Sequence, residues 1–120
     1  VWRAAGTERV ALVTDAISAA GLPDGHYALG GLEIEVREGV ARLENGALAG
    51  STLSLDRAVR NMVSLGVPLP QALAMATVVP AAAVGAGELG SLEPGRRADF
   101  LVLDRELNIQ RVYIGGERVI

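Results

Sequence analysis

The chain is predicted to be of mixed α/β class, and three observations carry that expectation. Val10 to Val13 is an unbroken apolar run, half of it β-branched, which suits a strand buried on both faces as in a parallel sheet. Leu32-Glu33-Ile34-Glu35-Val36 alternates strictly, the mark of a half-exposed antiparallel strand. Leu55, Val59, Met62 and Val63 recur at helical spacing.

In chain order, residues 1 to 7 read as the tail of something earlier, because Trp2 has no obvious local partner. A strand is expected over 9 to 14. Residues 16 to 25 follow as a small-residue loop whose turn chemistry is Gly21-Leu22-Pro23-Asp24-Gly25. Short strands are expected from Tyr27 to Leu43, with the hairpin of residues 32–36 and 40–43 turning at Glu38-Gly39. Glu33 and Glu35 then lie on its solvated face rather than forming an acid/base pair.

After the small residues Ala47 to Thr52, a helix runs from Leu55 with Arg57 and Arg60 facing out, and Gly66 ends it. Pro70 starts the next helix at a favoured first-turn position, with Ala72, Leu73 and Ala76 inward. Thr77 to Pro80 interrupts, and Ala81 to Val84 gives a last short turn. The end returns to strands: Asp99 to Asp104, then a hairpin of residues 111–114 and 118–120 around Gly115-Gly116.

Composition excludes several kinds of chemistry. The formal net charge is −3, against a nucleic-acid partner that needs a basic face. All eleven basic residues are Arg, so Lys-based Schiff-base or P-loop chemistry is excluded within the chain. Cys is absent, which removes disulfides, thiolate catalysis and thiolate metal sites and fits a cytoplasmic location. Residues 61 to 87 carry no formal charge, but Gly66, Pro68, Pro70, Pro80 and Gly85 break the run and much of the rest is Ala, so no membrane span is expected. The glycine-rich turns near the end precede no helix and are not phosphate cradles.

Asp15 is the leading candidate for chemistry. It follows an apolar strand at its opening into a loop, where parallel β/α folds bind ligands. On position alone it either carries chemistry or caps the following turn. The small residues within Ala47-Leu48-Ala49-Gly50-Ser51-Thr52 would let backbone approach a ligand or a neighbouring strand closely. His26, the single histidine, reads as an exposed loop residue. A parallel-type strand without a parallel partner in the chain points to the C-terminal part of a larger protein.

Leu12-Val13-Thr14-Asp15-Ala16, Leu48-Ala49-Gly50-Ser51, Ala58-Val59-Arg60-Asn61, Ala74-Met75-Ala76-Thr77 with Pro80-Ala81, and the stretch from Gly90 to Asp104 occur in that order. In these residues the chain resembles the amidohydrolase superfamily, and within it the N-acetylglucosamine-6-phosphate deacetylases. The stretch from Gly90 to Asp104 is shared widely in the superfamily. The Thr14-Asp15-Ala16 element, the hairpin and Leu48 to Ser51 point to the deacetylases.

The resemblance implies the C-terminal part of a (β/α)8 metal-dependent hydrolase barrel plus strands of a small composite β-sandwich. Residues 1–89 would end the barrel, with residues 9–14 as its eighth strand and a hairpin inserted at about 27–43; residues 90–120 would join the sandwich. It implies hydrolysis of N-acetylglucosamine 6-phosphate to glucosamine 6-phosphate and acetate in amino-sugar catabolism. Asp15 would be the catalytic carboxylate, facing the metal or its water, and Leu48, Ala49 and Gly50 would contact substrate. The cofactor would be zinc or iron on upstream ligands, with no metal bound and no turnover by these residues alone. The partners implied are a small sugar phosphate, the N-terminal part of the same protein and a second copy in a homodimer, with no nucleic acid and no membrane. Two other readings stand beside this one: an amidohydrolase acting on a cyclic or N-acyl amide, and a non-catalytic interaction module on the same fold.

Overall fold

The computed structural model describes residues 1–120, which divide into two compact units. One is Val13–Ala58; the other combines Val1–Leu12 with Val59–Ile120.

The Val13–Ala58 unit is built on an antiparallel sheet of strands β1 (Gly25–Leu29), β2 (Leu32–Arg37), β3 (Val40–Leu43) and β4 (Leu48–Gly50), paired in that order. The alternation read in the sequence is what builds it. Ile34 and Val36 of β2 and Ala41 of β3 are buried, and Ala19 from the preceding loop closes over them with Ile17, Tyr27 and Leu29 at the margin. Glu33 is exposed, and Glu35 pairs with Arg37 at 2.6 Å on the outer face. The β2–β3 turn sits at Glu38-Gly39 as expected, both residues with positive φ (52° and 71°), the conformation that matches the twist of a tight hairpin.

In the other unit a short helix α1 (Trp2–Ala5) leads into a 3-10 turn at Thr7–Arg9. Helix α2 (Leu55–Ser64) brings the chain back from the Val13–Ala58 unit, and α3 (Leu69–Ala76) and α4 (Val78–Ala83) follow. Val59, Val67, Ala72 and Met75 form the buried cluster, and Trp2, Val10 and Leu12 pack against it. Trp2 therefore does have partners, supplied by helices far along the chain. α4 begins earlier than the sequence led us to expect. Only Thr77 breaks the helical path, at φ −130° and ψ −89°. Pro80 is accommodated because the first turn of a helix needs no amide donor there.

The last strands, β5 (Phe100–Leu103), β6 (Ile109–Ile114) and β7 (Glu117–Arg118), form an antiparallel sheet close to expectation. Phe100 lies opposite Tyr113 and their rings stack, centroids 4.4 Å apart. The β5–β6 connection is organised by the Asp104 carboxylate. It accepts the Asn108 and Glu106 amides at 2.8 and 3.0 Å and the side chains of Asn108 and Gln110 at 3.0 Å. Donation to the charged form, led by the Asn108 amide, holds Asp104 below the ordinary carboxylate range. Arg60, expected to face out, is half-buried and donates to the Leu107 carbonyl at 3.0 Å.

One expectation is overturned. Residues 9–14 are not a strand: Arg9 ends the 3-10 turn and 10–14 carry no ladder. Val10 and Leu12 turn toward the helical cluster, while Val13 is 73% exposed. The Leu12 amide donates to the Met75 carbonyl at 2.8 Å. The run is thus buried on one side against a helix end, because a doubly buried strand needs ladder partners along both edges. No helix is long and apolar enough to cross a membrane.

Candidate functional site

The structure brings two of the sequence-identified segments together. Asp15 closes the extended segment with φ 46°, a left-handed conformation that Asp tolerates better than most residues and that concentrates at functional sites. The next residue, Ala16, forms a parallel bridge with Ser51. The Ile17 amide then donates to the Ser51 carbonyl at 2.9 Å. Asp15 and Leu48-Ala49-Gly50 are thereby held on adjoining backbone within one unit. The Asp15 carboxylate is exposed.

Strand β4 has an irregularity that the sequence did not announce. Ala41 pairs with Gly50, but Arg42 pairs with Leu48, so Ala49 is an extra residue between them. Such a bulge interrupts the ladder and re-aims side chains, and bulges gather beside active sites. Here Ala49 packs toward the sheet core while Leu48 is 67% exposed. Gly50 has its own requirement. A Cβ built on it would collide with Ile17 Cγ2, which belongs to a stiff β-branched side chain. The run of small residues from Ala47 to Thr52 was the legible trace of this packing; the roles of Ile17 and Ser51 left no sequence signal.

His26 is not in a loop. It sits on β1 opposite Glu35, exposed as expected. The register continues from Glu35 to Arg42 and from Arg42 to Leu48, making one row across four strands. With strands about 4.8 Å apart, three strand spacings put His26 about 14 Å from Leu48.

No three His, Asp or Glu side chains of the chain come together so as to hold a metal ion. A catalytic zinc site takes three such protein donors. The residues present do not make such a site. What the site offers chemically is one exposed carboxylate on constrained backbone beside an interrupted strand edge.

Comparison with known proteins adds a consistent picture. The sequence pattern of the amidohydrolase family matches residues 3–119. The chain is 52% identical over 112 residues to N-acetylgalactosamine-6-phosphate deacetylase of Escherichia coli O157:H7, covering 92% of this chain and 30% of the relative. It is 41% identical over 113 residues to N-acetylglucosamine-6-phosphate deacetylase of Vibrio furnissii, covering 92% and 28%. The crystal structure of N-acetylglucosamine-6-phosphate deacetylase from Thermotoga maritima matches with a TM-score of 0.88 at 38% identity, over 99% of this chain and 33% of that one. The chain therefore spans about a third of the length of these relatives.

Proposed function

The chain belongs to the amidohydrolase family, and from that we propose that the full-length protein hydrolyses the acetamide of an N-acetylated hexosamine 6-phosphate, N-acetylglucosamine 6-phosphate in the first instance. The products are acetate and the free hexosamine 6-phosphate. Asp15 is the proton shuttle. Its carboxylate takes a proton from the attacking water as the oxygen adds to the acetamide carbon. It returns that proton to the amine nitrogen as the C–N bond breaks, so the leaving group departs neutral. The backbone of Leu48, Ala49 and Gly50 orients the sugar. The divalent metal of the family, zinc or iron, is assigned to ligands outside these residues.

The observation that carries this reading is the Ala16–Ser51 bridge, which places a left-handed Asp beside a bulged strand edge. We read residues 1–89 as the closing part of a barrel and 90–120 as sandwich strands; the match to the Thermotoga structure over 99% of the chain supports this. A phosphorylated substrate is consistent with a cytoplasmic enzyme.

Asp15→Asn in the full-length protein keeps the shape and removes the base. Turnover is expected to fall by at least about a hundredfold while calorimetry still detects sugar-phosphate binding. Near-normal turnover in that variant would defeat the assignment. A second reading, the galactosamine epimer as substrate, is favoured by the 52% identical relative. Parallel assays on the two epimers, which differ only at the 4-hydroxyl, decide between them.

A further inference from the structure

We infer that Thr52 is a positioning residue that fixes the height of Leu48-Ala49-Gly50 against Asp15, working through the β2–β3 turn. This rests on the proposed function above and extends it to residues outside the substrate-contacting stretch.

The Thr52 hydroxyl, part-buried, donates to the carbonyl of Gly39. Gly39 is no loose loop residue. The amides of Glu38 and Gly39 both donate to the Asp24 carboxylate, at 2.7 and 3.3 Å. Hydrogen bonds to an ionised acceptor are the stronger kind, so the turn is a fixed point. One residue before Thr52, the Ser51 carbonyl receives the Ile17 amide, and Ser51 bridges Ala16. The segment is thus gripped on one side by backbone next to Asp15 and on the other by an anchored turn. Strand β4 needs such a grip. It spans only Leu48–Gly50 and contains the extra residue, so its own ladder holds register weakly. Ser51 Oγ is occupied with the Leu53 amide at 3.1 Å, which leaves the link to the turn to Thr52.

The test uses the full-length protein with the sugar phosphate as substrate. Thr52→Val removes the hydroxyl and keeps the shape. KM is expected to rise about tenfold or more, since small misplacements of positioning groups are costly, while kcat changes much less because Asp15 is untouched. Thr52→Ser should return KM to within about twofold of the parent, a rescue that loss of methyl packing would not give. Asp24→Asn is the second variant and carries the test if Thr52→Val does not fold. It replaces one acceptor oxygen with a donor facing an amide and should raise KM in the same direction. Parental KM and kcat in both variants would overturn the proposal, and so would failure of Thr52→Ser to rescue. Asp15→Asn, measured alongside, separates the two ideas. An active Asp15→Asn variant sinks the catalytic reading whatever Thr52 does. An inactive one with parental Thr52 variants sinks only the positioning role.

Discussion

Gly50 lies directly under Ile17: the space that a side chain on Gly50 would occupy is already filled by Ile17 Cγ2. Ile17 is itself tied through its amide to Ser51, so room for such a side chain comes only from turning the stiff Ile17 side chain about χ1 or from moving backbone next to Asp15.

Gly50→Ala should therefore cost activity far more than its single methyl implies. In the full-length protein we expect kcat/KM to drop about tenfold to a hundredfold. Ile17→Ala in the same molecule removes Cγ2 and should recover part of that loss. A double-mutant cycle reads the coupling; additive effects would show that the two residues do not compete for space.

Met75 is fully buried among Val59, Val67 and Ala72, and its carbonyl receives the Leu12 amide. Met75→Ala should destabilise by about 2–5 kcal/mol, the usual cost of emptying a core site. Urea unfolding measures it. Met75→Leu, which keeps the volume, should cost less than about 1.5 kcal/mol.

Asp104 supplies a pH signature. Its carboxyl is held below the ordinary range by the Asn108 amide first, with Asn108, Glu106 and Gln110 donors adding. A depressed folded pKa contributes stability above the unfolded value of about 3.9, and that contribution disappears as pH falls through the folded value. The urea midpoint of Asp104→Asn should lie below that of the parent by a constant gap from neutral pH to about pH 5. The gap should close at lower pH. A gap that persists at the acid end would mean that charge is not what Asn108 reads.

Several elements were legible because a short-range pattern decides them. The alternation at residues 32–36 and the Glu38-Gly39 turn fix β2 and β3 with no outside help. The Val59, Met62, Val63 spacing likewise fixes the buried side of α2. Residues 9–14 failed for the opposite reason. An apolar run states that burial occurs, but not on how many sides, and Val10 and Leu12 find a helix where strand edges were expected. Arg60 was assigned to solvent from the helical spacing of its apolar neighbours, yet its long side chain reaches a carbonyl forty-odd residues later. At the candidate site, Asp15 and the Leu48 to Gly50 stretch each stand out singly in the sequence. Their adjacency depends on the Ala16–Ser51 bridge, a non-local pairing of two loop residues that no window of sequence contains.

The additional residue in β4 makes chain length, rather than side-chain identity, the sensitive quantity there. Deleting Ala49 would put Leu48 next to Gly50 and still opposite Arg42, a regular ladder, so the bend that the bulge gives the strand and the contact of Ala49 with the sheet core would be lost together. Homologous chains can thus be expected to vary in which small residues they use at 47 to 52 while keeping the count unchanged.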